Sequence, residues 1–232
     1  VSVCHPVARK GTKSFLTVGI LPKSHQPPFY PMNVLIGCEY SGVVRSAFRK
    51  LGHDAWSCDL LPSDDQSEFH YQGDVFEAID RRSWDLAIFH PPCTHLAVSG
   101  ACWFKNKQKE QVEALEFVRR LLDAPIPRIA LENPVSIISS RIRKPSQIIQ
   151  PYEFGHDASK RTCLWLKNLP LLKPTQYVEP KITTYKGKEV KRWGNQTPQG
   201  SNKLGPSEDR WKLRSTTFQG IADAMAFQWG CL

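Results

Sequence analysis

A cysteine directly after two prolines and a glutamate directly before Asn-Pro are the two residues of this 232-residue chain whose type and placing offer chemistry. Cys93 closes the run Trp84-Asp85-Leu86-Ala87-Ile88-Phe89-His90-Pro91-Pro92-Cys93. Leu86 to Phe89 has the length of a buried strand. The prolines fix φ and remove two backbone donors, so the chain must leave the sheet at His90. Cys93 then falls outside the carboxyl end of a strand, where open α/β sheets collect ligands. About forty residues on, Ile129-Ala130-Leu131 ends as abruptly in Glu132-Asn133-Pro134. If the two strands are parallel neighbours, thiol and carboxylate face one substrate, a nucleophile with an acid partner.

The elements that must hold these loops alternate strand and helix. Asn33 to Ile36 reads as a strand, followed by Gly37-Cys38-Glu39-Tyr40-Ser41-Gly42 and a helix with Val44, Ala47, Phe48 and Leu51 on one face, stopped by Gly52. Strand, glycine-bearing turn and helix form the first unit of a nucleotide-binding α/β fold. A second strand, Ala55 to Cys58, ends at Asp59, where an acid can accept from ribose hydroxyls. Asp74 precedes a helix from Val75 to Ile79, as its cap. Lys105 to Ala124 reads as a covering helix with Val112, Leu115, Val118, Leu121 and Leu122 on one face, ended by Pro125 and Pro127, and Val135 to Ile142 as a short one. The alternation predicts an α/β fold, a mostly parallel sheet flanked by helices.

Pro-Pro-Cys followed by Glu-Asn-Pro, each after a strand, resembles the cytosine carbon-5 methyltransferases that use S-adenosylmethionine, whose signatures are a P-C nucleophile loop and an E-N-V acid loop. The resemblance covers most of the chain from Met32 onward and implies their Rossmann-like methyltransferase fold. It implies that Cys93 adds to ring carbon 6 of cytosine while Glu132 hydrogen-bonds ring nitrogen 3 and the exocyclic amine. Arg161 aligns with the second arginine of the family's R-x-R motif, near the nucleophile, and Ser159 stands at the first. Gly73-Asp74-Val75 also resembles a motif of the family whose acid meets the cofactor. Phe218-Gln219-Gly220-Ile221 resembles the last motif, whose helix returns beside the first strand. The cofactor contacts so implied are Gly37, Glu39, Ser41, Gly42, Asp59, Asp74, Pro91 and Gly220. The substrate contacts are Thr94, Asn133, Lys160, Lys191, Arg192 and Trp193.

The chain also departs from the pattern. Of the family's F-x-G-x-G-G turn only Gly42 is kept, with Glu39 and Ser41 at the first two glycines, although Glu39 resembles the acid with which many methyltransferases open this motif. Thr94 replaces a glutamine and His90 a glycine. Thr94 to Phe104, with Trp103, would be the loop that closes over an extruded base, or else core packing.

A net charge of +9 and a pI of about 9.3 favour a polyanionic partner. Residues 181–214 hold nine basic residues against three acidic, mixed with Tyr185, Trp193 and Trp211. They suit phosphate contact and base stacking on DNA, or form a solvated loop. RNA and free nucleotides stay open as substrates. Seven cysteines without a C-x-x-C pair suggest neither a disulfide framework nor a zinc site, and fit a reducing cytoplasm. No apolar run approaches the ~18 residues that cross a bilayer.

The expected organisation is a poorly ordered basic extension at 1–31, a catalytic core at 32–175, a recognition segment at 176–214 and a closing helix at 215–232. A monomeric, compact prokaryotic or phage enzyme, of the kind found in restriction-modification, fits that size. Two rival readings remain. One is an amino-methyltransferase of adenine or cytosine, whose D/N-P-P-Y/F/W loop shares only the double proline; the other is an inactive nucleic-acid binder that keeps the fold.

Overall fold

The computed structural model describes residues 30–232, leaving aside the side chains of 101–103, which include Trp103. The extension expected at 1–31 lies, except for its last two residues, outside the described residues. The strands are β1 (Asn33–Gly37), β2 (Asp54–Asp59), β3 (His70–Gln72), β4 (Leu86–Phe89), β5 (Arg128–Pro134), β6 (Gln147–Ile149), β7 (Thr162–Lys167), β8 (Lys181–Tyr185) and β9 (Lys188–Arg192). The α-helices are α1 (Val43–Lys50), α2 (Val75–Asp80), α3 (Gln108–Leu122), α4 (Ile138–Arg141), α5 (Arg210–Ser215) and α6 (Gln219–Trp229).

Seven strands make one sheet in the order β3-β2-β1-β4-β5-β7-β6. β1 to β5 pair in parallel, while β7 runs antiparallel to both β5 and β6. The order reverses between β1 and β4, which opens a crevice at their carboxyl ends, as in doubly wound Rossmann-like folds. The chain therefore has a Rossmann-like α/β fold with a mostly parallel sheet flanked by helices.

Helices cover both faces of the central strands, so these strands read as unbroken apolar runs rather than alternating ones. All four residues of β4 are fully buried. Val34, Ile36, Leu86, Ile88 and Ala130 face a core shared with α1 and α6. Leu35, Ala87, Phe89, Ile129 and Leu131 face the other, shared with α2 and α3. Gly37 ends β1 where a Cβ would meet the Phe89 ring at 2.6 Å and Val75 at 2.7 Å, so glycine lets β1, β4 and α2 approach.

Several expectations need correction. α3 begins at Gln108, after a kinked 3-10 stretch from Val98 to Asn106. Val112, assigned to the apolar face of that helix, is 65% exposed; the buried face of α3 begins at Leu115. Leu51 lies just past α1 as its C-terminal cap and is half-exposed. β3, β6 and the β8–β9 hairpin were not anticipated. The hairpin turns at Lys186-Gly187, both with positive φ, the backbone that a two-residue hairpin loop requires.

Candidate active site

β4 and β5 are parallel neighbours in register, with Phe89 opposite Leu131. One step further along, His90 Nδ1 lies 3.0 Å from Glu132 Oε2. One step beyond that, the Asn133 amide nitrogen donates to the Pro91 carbonyl at 2.9 Å, in the interior. The loops after the two strands then stay stitched together: Val98 donates to the Val135 carbonyl, Ile137 donates to the Leu96 carbonyl, and Ala97 bridges Ser136. Turn, prolines and clamp hold Cys93 at the sheet edge beside the acid loop, and the Cys93 carbonyl accepts the amides of Leu96 and Ala97. Cys93 itself is exposed and free.

The other described thiols are poor nucleophiles. Burial first, then the charges of Asp59 and Asp74, pushes Cys58 up to about 12 and Cys38 higher still. Burial also raises Cys163. Cys231 is exposed but follows Gly230, which packs on His53 ahead of β2, at the opposite edge of the sheet. A thiolate is the reactive form of cysteine, which leaves Cys93 as the described cysteine positioned for substrate.

Burial alone would raise the Glu132 carboxyl. The hydrogen bond and charge of His90, the Lys160 ammonium and the Thr217 hydroxyl at 3.3 Å reverse this and bring it down to about 2. His90 responds in the opposite sense. Burial would lower it, but the Glu132 hydrogen bond and charge, helped by the Glu39 carboxylate, raise it. Sequence reasoning missed His90, treating it only as a departure from glycine. Its position between a buried strand and two prolines, one step from the Glu132 register, was the available signal.

The turn after β1 shows why a glutamate can replace a glycine. Glu39 is buried, and its carboxylate accepts the backbone amides of Val44 at 2.7 Å and Arg45 at 3.2 Å. It thereby caps the unpaired N–H groups of the first turn of α1. Burial nevertheless raises its pKa, against the pull of His90, those two amides and Arg45. Gly42 enters the helix with φ 69°, and a Cβ there would run into the buried Arg45 guanidinium, which pairs with Asp65. In dinucleotide-binding folds this helix end receives a pyrophosphate. Here a carboxylate takes the amides, which disfavours phosphate and suits a cationic ligand.

Two cavities flank Cys38 at this edge. The larger, of about 120 Å³, is lined by Asp59, Asp74, Val75, Pro92 and Phe117 among others. Two carboxylates between flat apolar walls suit a nucleoside, with Asp59 at the end of β2 where ribose hydroxyls would be met. Asp74 also caps α2, its side chain accepting the Phe76 amide at 2.7 Å. The smaller, of about 50 Å³, is lined by Glu39, Ser41, His90 and Ser215 to Thr217. The residues present therefore fit the adenosine and the cationic portion of S-adenosylmethionine.

Other assigned contacts are placed differently. Pro92, not Pro91, lines the larger cavity, and Pro91 is buried with its carbonyl held by Asn133. Asn133 accordingly clamps the end of β5 to the loop after β4 through its amide nitrogen. Gly220 is a close-packing glycine: a Cβ would collide with the Phe154 carbonyl, and its N–H donates to His156 Nε2 at 2.8 Å. Arg161 is exposed and makes no hydrogen bond or ion pair among the described residues. Lys160, one residue earlier, is the cation whose charge reaches Glu132 and His90, and its Nζ donates to the Arg214 carbonyl at 2.8 Å. Trp193 stacks on Tyr152 at 4.3 Å and 12°, so one face of its ring is already covered. Arg192 donates to the carbonyls of Pro198 and Lys191. Thr94 and Lys191 are exposed.

The basic segment is tied to the body beside the site. Lys181 pairs with Asp157 at 2.9 Å, and Asn195 exchanges hydrogen bonds with the Ser159 backbone at 2.9 Å each way. Among the described residues no helix is long and apolar enough to cross a membrane.

No family model and no curated protein matches the chain. Among solved structures, it is similar to the Entamoeba histolytica methyltransferase EhMeth at 15% identity and a TM-score of 0.44. That match spans 65% of this chain and 58% of the other, so the chain covers little more than half of that protein's length.

Proposed function

We propose that the protein is an S-adenosylmethionine-dependent DNA methyltransferase that acts on carbon 5 of cytosine. The observation that carries this reading is the juxtaposition at one sheet edge. The exposed Cys93 lies in the loop after β4, which Asn133 clamps to the end of β5 where the buried, ionised Glu132 sits, beside a cavity lined by Asp59 and Asp74.

Carbon 5 of cytosine is a weak nucleophile until something adds to carbon 6. Cys93, as the thiolate, makes that bond, and the electron pair of the ring double bond moves toward carbon 5 and ring nitrogen 3. Glu132 faces the polar edge of the ring, where one carboxylate oxygen accepts from the exocyclic amine. Asp59 and Asp74 hold the ribose and adenine of the cofactor, Pro92 and Phe117 flank it, and Glu39 meets its cationic portion. When bound, the cofactor supplies an electrophilic methyl group. Elimination of Cys93 after loss of the carbon 5 proton restores the enzyme.

In duplex DNA the target is stacked and must be extruded, at a cost of roughly a few kcal/mol. Lys181, Lys188, Lys191 and Lys186 on the β8–β9 hairpin are exposed and suited to phosphate. The exposed Trp211, packed at a tilt of 48° on Tyr40 with ring centroids 5.5 Å apart, offers an aromatic surface near the smaller cavity.

The test is incubation with methyl-labelled S-adenosylmethionine and unmodified duplex DNA, beside Cys93→Ser, followed by digestion to nucleosides. Label in 5-methylcytosine that is lost with Cys93→Ser is expected. Label on an exocyclic amine would replace the reading with an amino-methyltransferase. Cofactor binding without DNA product would redirect it to RNA or nucleotides.

A further inference from the structure

The pairing of His90 with Glu132 answers a question that the proposed chemistry leaves open. As Cys93 adds to carbon 6, negative charge accumulates on ring nitrogen 3, which then needs a proton. An ionised carboxylate has none to give. Glu132 Oε2 is occupied by His90 at 3.0 Å and by the Thr217 hydroxyl at 3.3 Å, while Oε1 makes no hydrogen bond among the described residues and is left for the ligand. Of the two groups touching Oε2, only an imidazolium surrenders a proton readily near neutral pH.

We propose that His90 is a positioning residue that stores the proton Glu132 delivers to ring nitrogen 3. The inference rests on Cys93 and Glu132 being the nucleophile and its acid partner. In the addition step the Cys93 sulfur–carbon 6 bond forms and the carbon 5–carbon 6 π bond breaks. One proton moves: His90 Nδ1 gives it to Glu132 Oε2, leaving imidazole neutral, and the carboxyl group, turning about its Cγ–Cδ bond, passes that proton to ring nitrogen 3 and becomes a carboxylate again. Elimination of Cys93 runs both transfers backward. No external proton donor is needed, and total charge in the pocket is conserved.

The surroundings of the imidazole suit this role. Glu132 from β5 and Glu39 from the turn after β1 both favour its protonated form; Lys160, ahead of β7, opposes it. Nε2 is buried without a hydrogen-bond partner among the described residues, so no other side chain there fixes the second ring proton. The cavity lined by His90, Glu39 and Ser41 gives room for a water through which the ring can re-equilibrate with solvent.

The experiment is the pH dependence of kcat for 5-methylcytosine formation, in the wild-type protein and in His90→Gln, with KM for DNA and cofactor measured at each pH. The relay needs one proton on the His90–Glu132 pair, so activity falls as pH rises through the loss of that proton. In His90→Gln the proton must sit on Glu132 alone, which moves the alkaline limb down by about one pH unit or more. Maximal kcat should fall by about 10- to 100-fold while KM changes less than about threefold, within the range expected of acid–base participation. A lower kcat with an unmoved alkaline limb would overturn the relay and leave His90 a structural role. No 5-methylcytosine from the wild-type protein at any pH would instead overturn the proposed function itself. Imidazole ¹⁵N NMR of the wild-type protein gives an independent readout if the variant does not fold. Protonation of His90 at pH 7, lost in Glu132→Gln, is expected, and a neutral His90 at pH 7 would overturn the proposal.

Discussion

The loop after β4 and the last residues of β5 lie side by side at the carboxyl ends of adjacent strands, yet their functional side chains end in opposite conditions. Glu132 is buried, ionised and held through one oxygen by two partners. Cys93, in the loop after β4, is exposed and its thiol is free. The difference teaches how the labour is divided. The acid side is pre-organised, because a misplaced buried charge is costly, whereas the nucleophile side is held by its backbone and left open to receive a substrate that completes its surroundings.

The sharpest way to break that comparison is Cys93→Ser. An exposed, unpartnered side chain contributes little to folding, so stability in urea should change by less than about 0.5 kcal/mol. Methyl transfer should fall on the order of 10⁴-fold or more. A large loss of stability would show that the nucleophile loop is as tightly packed as the acid loop.

His90→Leu tests the other side. It leaves Glu132 buried without its main counter-charge, which should destabilise the fold by about 3–5 kcal/mol, read by denaturant midpoint. Adding Glu132→Gln should restore part of that loss. Next in size, Asn133→Ala removes the clamp on the Pro91 carbonyl and should cost about 1–3 kcal/mol. It should also slow methyl transfer, since the two loops would no longer be fixed to each other.

Acid unfolding sharpens the contrast further. Glu132 is depressed from 4.5 to about 2 in the folded protein, so its contribution is present above its unfolded value and is lost as pH falls through that interval. Stability of the wild-type protein should therefore drop across this window more steeply than that of Glu132→Gln. His90 is raised, so its contribution is present below its ordinary value of 6.5 and is lost as pH rises through its folded value. The smallest effect belongs to the hairpin: Lys191→Ala should weaken DNA binding by a few-fold at all sequences and reduce the salt slope by about one, measured by fluorescence titration.

Much of the framework was legible before any coordinates. Central parallel strands must be apolar on both faces, and β1, β4 and β5 stood out for that reason, as did the loop that prolines force out of β4; β5, expected to end at Glu132, runs on through Pro134 because these residues pair with β7. β3 and β6, read as His-Tyr-Gln and Gln-Ile-Ile, carry no such signal, because a peripheral strand need not be buried on both sides. The hairpin strands are polar and exposed, and only the Lys-Gly turn marked them. Lys160, expected to meet substrate, instead brings its charge to Glu132 and His90, while Arg161, expected near the nucleophile, is exposed. In an extended segment leading into buried Thr162, positions 160 and 162 share a face and Arg161 points the other way. Gly37 and Gly220 were assigned to the cofactor, although what requires glycine at both is the close approach of neighbouring elements, information that resides in tertiary packing alone.

The outermost strands of the large sheet, β3 and β6, are three residues each. A strand this short presents too few unpaired backbone groups to template a strand from another chain. The brevity that hid these strands from the sequence thus protects the sheet against edge-to-edge association when the protein is concentrated.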